Sequence, residues 1–200
     1  MTELFVIRHA ITDWNNEKRF QGHSDIPINA AGREEISRFK LPVDWTDAEL
    51  LSSPLSRARE TAEILCQRTP TIDNALLEMN WGLWEGRTYA ELKAELGTEL
   101  TKNEDLGLDL CPVGGESPRE VCQRLKLWFK QLIASPENRV VAVTHKGIIR
   151  AMMAMAYDWN MLGKAPAKLQ RYAGHHFKIE QGGQIVAVKM NARLRERTSD

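Results

Sequence analysis

Two short, uninterrupted apolar runs, Leu4-Phe5-Val6-Ile7 and Val140-Val141-Ala142-Val143, stand near opposite ends of this 200-residue chain. A run without polar alternation fits a strand covered on both faces, the condition of a parallel sheet flanked by helices. Each run leads into a histidine, Arg8-His9 after the first and Thr144-His145 after the second. In open α/β sheets, ligands bind beyond the carboxyl ends of the strands. Two histidines at equivalent strand ends are therefore expected to meet above one sheet. A single such histidine is explained equally well as a hydrogen-bonded structural imidazole. The pair carries more information.

The rest of the chain supplies the helices such a sheet needs. A short helix is expected over 30–40 and a second strand at Leu50-Leu51-Ser52. Leu55, Ala58, Ala62 and Leu65 recur at helical spacing, with Pro54 read as the first helical residue. Residues 70–77 read as a short third strand. Thr88 and Glu91 form a capping-box pattern for a helix ending at Gly97, and Ser117-Pro118-Arg119-Glu120 opens another whose stripe is Val121, Leu125, Trp128 and Leu132. Residues 98–118 read as a long polar loop, 147–156 as a helix, and Gly182-Gly183 as a turn between alternating runs at 175–180 and 184–189. The mixed-charge tail Arg193–Asp200 is expected to be solvated and frayed. This alternation predicts a layered α/β/α sandwich with a mostly parallel central sheet. We expect one domain over 1–200, with a small cap insertion at about 80–118.

Composition narrows the function. Hydrophobic residues make up 42% and charged residues 27%, and 27 basic against 27 acidic side chains leave no net charge. That lacks the cationic surplus of a non-specific nucleic-acid binder and the high charge of a disordered chain. No run is long enough for a membrane span, and no signal peptide is apparent at the N-terminus. Cys66, Cys111 and Cys122 form no C-x-x-C pair, so a disulfide framework or zinc site is not expected, and a cytoplasmic setting fits. Cys66 and Cys122 read as core, as do Met152, Met153 and Met155. His23, His175 and His176 carry no motif and read as surface or structural.

Six blocks surround the two histidines: Arg8 through Asn15, Gln21 through Pro27, Ser52 through Ala62, Glu78 through Gly86, Gly114 through Ser117, and Thr144 through Gly147. In order, spacing and context they resemble the phosphatase branch of the histidine phosphatase (phosphoglycerate mutase-like) superfamily. The resemblance runs from about residue 3 to 150. It implies that Arg8 and Arg57 clamp a phosphate, His9 attacks phosphorus, and His145, if protonated, adds charge to the cradle. It further implies that Glu78 gives a proton to the leaving alcohol and takes one from water. These residue types suit that chemistry, because guanidiniums hold phosphate bidentately and an imidazole nucleophile splits one displacement into two. The acid needs its pKa raised toward neutrality. Arg57 rather than Arg59 holds the family position. Asn15 and Gln21 match phosphate contacts in relatives, or serve as loop-stabilising amides; Glu78 could instead be a surface carboxylate before a turn. No metal or cofactor is implied.

The sequence departs from the pattern at two places. Ala10-Ile11 replaces the usual Gly-Glu, removing a carboxylate near the pocket. Lys146 stands where relatives commonly have glycine; its amide suits phosphate at a helix N-terminus, and its ammonium either enters the pocket or faces solvent. Three readings follow: a metal-independent phosphatase working through a phosphohistidine on His9, a cofactor-dependent phosphoglycerate mutase, and a non-catalytic phospho-ligand module. The short stretch between Glu78 and His145 favours the first. The expected partner is a small phosphorylated metabolite, without nucleic acid or membrane, and a homo-oligomer is left open. Glu99, Glu104, Asp105 and Asp109 would disfavour highly anionic bisphosphates if they faced the pocket.

Overall fold

The computed structural model describes residues 1–197. Its elements in chain order are β1 (Thr2–Arg8), α1 (Asp13–Asn16), α2 (Ala30–Ser37), β2 (Phe39–Lys40), β3 (Glu49–Ser52), α3 (Ser56–Cys66) and β4 (Thr71–Ile72). Then follow α4 (Tyr89–Leu96), α5 (Thr98–Glu104), α6 (Pro118–Ala134), β5 (Arg139–Thr144), α7 (Lys146–Ala156), β6 (Ala173–Ile179), β7 (Ile185–Arg193) and β8 (Arg195–Glu196). Six strands form the central sheet in the order β4-β3-β5-β1-β6-β7. The β4, β3, β5 and β1 pairings are parallel, while β6 and β7 extend the sheet antiparallel, so it is mostly parallel as expected.

The apolar runs divide their side chains between two cores. Leu4, Val6, Val140 and Ala142 face the layer containing α6 and α7, where Trp128, Phe129, Ile149 and Met152 are buried. Phe5, Ile7, Val141 and Val143 face the opposite layer with Ile36, Ala58, Ala62 and Leu65 from α2 and α3. Alternation sends successive side chains to opposite faces. Both faces being covered, both registers are apolar and the sequence shows an unbroken run. No helix of the described residues is long and apolar enough to cross a membrane.

Four local expectations need correction. Helix α3 begins at Ser56 rather than at Pro54, because Asp25 Oδ1 from a distant loop accepts from both Ser56 N and Ser56 Oγ at 2.7 Å. The 30–40 helix stops at Ser37 and gives way to β2, which pairs with β8. Residues 98–118 are not simply loop: Gly97 ends α4 and α5 follows at once. Its one buried apolar residue, Leu100, packs with Trp84 and Leu92 in a small cluster apart from the sheet. One buried residue leaves no periodicity to read. The tail is also ordered through Arg197. Leu194 is buried, and the Arg197 guanidinium donates to the carbonyls of Phe39, Ile64 and Leu65, satisfying acceptors that the last turn of α3 leaves free. Thr198, Ser199 and Asp200 of that expected frayed end lie outside the described residues.

Candidate active site

Strand register brings the histidines together. Arg8 is level with Thr144 in the β1–β5 pair, and His9 N donates to Thr144 O at 2.8 Å. The next residue of each strand is a histidine, and the two rings lie 5.2 Å apart between centroids. On the far side of β5, Ser53 N donates to Val143 O, placing Ser53 Oγ 2.8 Å from His145 Nε2. His145 Nδ1 accepts from Arg57 Nε at 3.2 Å, so its proton resides on Nε2, which donates to Ser53. His9 Nδ1 lies 2.7 Å from Ala10 O and must be the protonated nitrogen. His9 Nε2 is left with its lone pair.

A cavity of about 660 Å³ opens over His9, lined also by Arg8, Asn15, Gln21, Glu78 and Lys146. The Gln21 amide is oriented by its neighbours. Its Oε1 accepts from Thr12 Oγ1 at 3.1 Å and from Asn15 Nδ2 at 3.4 Å, and its buried Nε2 is left without a protein partner. Arg8 Nε is likewise buried and unpartnered. Buried donors normally find acceptors, so two orphans beside one cavity indicate an anion site. Asn15 borders the cavity, but its polar atoms are committed to Thr12 and Gln21, so it orients a neighbouring donor. Glu78 is buried, its carboxylate accepting from Met79 N at 2.8 Å and Gly147 N at 3.1 Å. Gly147 is required there: a Cβ would lie 2.3 Å from Glu78 Oε1.

Arg57 and His145 sit beneath this cavity, fully buried and outside its lining. Arg57 is tied there to the loop that carries Gly22 and Ser24. Its NH1 donates to Ser24 O at 2.9 Å and its NH2 to Gly22 O at 2.6 Å. Glu85 holds those peptides in place, accepting from His23 N at 2.6 Å, Ser24 N at 2.8 Å and Ser24 Oγ at 2.5 Å. Burial would raise the Glu85 carboxyl, but these bonds from Ser24 and His23 outweigh it and hold it below the ordinary range. A Cβ on Gly22 would lie 2.1 Å from Glu85 Oε1, so the contact demands glycine. Local sequence pattern assigns no role to Glu85 or Ser53, although both stand inside the motif blocks. His23 lacks a motif role too, yet its Nε2 lies 2.9 Å from Glu78 O. Glu85→Ala should lower kcat/KM on an aryl phosphate by about 10- to 100-fold, since small displacements of charged groups are costly at a reacting centre. Unaltered kinetics would show that Arg57 keeps its place without the clamp.

Charge is concentrated here. Burial lowers Arg8 to about 10, aided by the nearby charge of Arg171. Burial, then Arg8 and Arg57, pushes His9 well below its ordinary value, and burial with Arg57 does the same to His145. Its surroundings thus favour the neutral ring over the imidazolium: two guanidiniums lie close by, and among the described residues no carboxylate pairs with it. Stability should follow. Unfolded histidines bind protons below about pH 6.5 while His9 and His145 do not. The unfolded state then holds more protons, so stability falls as pH falls, by up to about 1.4 kcal/mol per pH unit for each histidine. His175, which burial lowers to about 4, adds a third group, and Glu78, raised by burial, offsets one. Urea midpoints should drop between about pH 7 and pH 5; a midpoint that holds steady or rises would refute this balance. Among the described residues, no group of three or more His, Cys, Asp or Glu is placed to hold a metal ion.

Residues 4–193 match the description of the histidine phosphatase superfamily (branch 1). The chain belongs to that superfamily. This member is 32% identical over 164 residues to phosphoglycerate mutase-like protein 4 of Arabidopsis thaliana, covering 77% of this chain and 70% of that one. It is 31% identical over 192 residues to glucosyl-3-phosphoglycerate phosphatase of Mycobacterium tuberculosis, covering 86% and 85%. The solved structure of a mycobacterial glucosyl-3-phosphoglycerate phosphatase with VO3 superposes with a TM-score of 0.76 at 27% identity, over 96% of this chain and 100% of that one. Family and relatives are consistent with a histidine-phosphatase-type hydrolase of phosphate monoesters.

Proposed function

We propose that this histidine phosphatase superfamily member hydrolyses small phosphate monoesters through a covalent intermediate on His9. The observation carrying the proposal is the pair of buried, unpartnered donors, Arg8 Nε and Gln21 Nε2, in the cavity that also exposes His9. In the first step the phosphorus–oxygen bond to the alcohol breaks, a bond forms to His9 Nε2, and the Glu78 proton goes to the departing oxygen. In the second, water attacks phosphorus, the phosphorus–nitrogen bond breaks, and the water proton returns to Glu78. Arg8 and Gln21 contact the phosphoryl oxygens, with Lys146 at the rim. Arg57 supplies its positive charge from below, next to His145, and strengthens the field where negative charge gathers in the transition state.

The same proposal makes the 80–118 segment a cap, supported by Trp81, Tyr89, Glu104 and Leu110, which line the cavity. The cavity volume of about 660 Å³ lies within the range of small-molecule sites and suits a phosphorylated metabolite as partner. Turnover of p-nitrophenyl phosphate in the presence of a chelator tests the reading. Steady hydrolysis is expected; no turnover anywhere between about pH 4 and 8 would overturn it, since Glu78 and His9 suit acidic to neutral conditions. Activity on phosphoglycerate that depends on a bisphosphate primer would favour mutase chemistry instead.

A further inference from the structure

The cavity carries more positive charge than one phosphate can balance. A phosphate monoester brings a charge of about −1.5 to −2 near neutral pH. Arg8 and Arg57 together offset it, with both histidines neutral. Five further cations line the same cavity, three of them close in the fold: Lys146 and Arg150, on the first two turns of α7, and Arg171, just before β6. Among the described residues, none of the three has a carboxylate within ion-pairing distance. They form one group with Arg8. Burial, then the charges of Arg8 and Arg150, lowers the Lys146 ammonium, and Arg171 is the charge felt most strongly by Arg8. Arg150 is held with its guanidinium 4.7 Å from the centre of the Trp159 ring, which fixes its direction without neutralising it. Like charges gathered without partners destabilise a fold unless a bound anion offsets them.

The acidic residues of the cap do not provide that offset. Glu99 pairs with Lys102 and Asp109 with Arg119, outside the cavity. Glu104 does border it, but on the side of Tyr89, whose hydroxyl donates to its carboxylate at 3.1 Å. Lys18 and Arg19 border it too, and there Glu17 and Glu91 pair with Arg19. Apart from the exposed Lys18, the uncompensated charge therefore lies with α7 and the turn before β6.

Resting on the monoesterase reading above, we propose that the preferred substrate carries a second anionic group on its alcohol portion, a carboxylate or another phosphate, received by Lys146, Arg150 and Arg171. Arg171 is the member best suited to test, being exposed on a turn and, among the described residues, without an ion-pair partner.

Binding separates this proposal from the question of turnover. On the His9→Ala protein, calorimetry would compare 3-phosphoglycerate with glycerol 1-phosphate, and fructose 1,6-bisphosphate with fructose 6-phosphate. In at least one pair, the doubly anionic member should bind about tenfold or more tightly, as expected for a charge-assisted contact. The pair that discriminates tells carboxylate from phosphate. Adding Arg171→Gln or Arg150→Gln should collapse that ratio to within about twofold of unity, the loss of one charge-assisted contact. Equal affinity within both pairs, or a proportional loss for both members in the variants, would overturn the proposal. Absence of aryl phosphate turnover by the unaltered chain would instead count against the hydrolytic reading and leave the binding ratio to be judged by itself.

Discussion

His9→Ala should reduce aryl phosphate hydrolysis by about 10⁴-fold or more and abolish any acid-labile phosphoenzyme, as removal of a covalent nucleophile does. The magnitude follows from what surrounds the ring. Nδ1–H donates to Ala10 O, so Nε2 presents its lone pair without prior deprotonation. Burial together with Arg8 and Arg57 keeps the imidazole neutral far into the acid range, so the nucleophile does not titrate away. His145 cannot substitute. Its Nδ1 receives Arg57 and its Nε2 faces Ser53, leaving no free lone pair toward the cavity. Rapid-quench trapping of the phosphoryl group beside steady-state rates provides the check. Activity within about tenfold of the unaltered protein would mean that water attacks directly and that His9 serves only to bind.

The sequence made the strand ends legible because they obey simple rules. Unbroken apolar runs fix doubly covered strands, and parallel register then places the residues after Arg8 and Thr144 side by side. The capping boxes at Thr88 and Ser117 were readable for the same reason, since donor and acceptor lie three residues apart. Other features depend on partners remote in sequence. Asp25 caps α3 across 31 residues, and Arg197 closes the end of that helix across more than a hundred. Neither leaves a local pattern. The site shows the same division. The blocks name Arg57 and His145, but only the packing shows that they lie under the cavity floor and that Glu85 holds the loop to which Arg57 is tied. Charge was least legible of all. Equal totals of acidic and basic residues say nothing about Lys146, Arg150 and Arg171, which α7 and the turn before β6 bring onto one wall.

Glu78→Gln should cost about 10²- to 10⁴-fold in kcat/KM on an alkyl phosphate, the usual contribution of a positioned general acid. On p-nitrophenyl phosphate the loss should be far smaller, because that leaving group departs without a proton. The carboxyl is suited to the role by opposing influences. Burial raises its pKa, while the amides of Gly147 and Met79 and the charges of Arg57 and Arg8 restrain the rise without cancelling it. The sign of the pH dependence follows. The acid form is present below the raised pKa, so alkyl ester hydrolysis declines as pH climbs through it. At the other end, the rate declines only when His9 finally takes a proton, well below the usual imidazole range. The two limbs therefore bound the activity from the lowered histidine side and the raised carboxyl side, and Glu78→Gln should remove the alkaline limb alone. A variant that lost both substrates equally while keeping that limb would assign the proton to another group, and Lys146, lowered by burial and bordering the same cavity, would be the one to replace next.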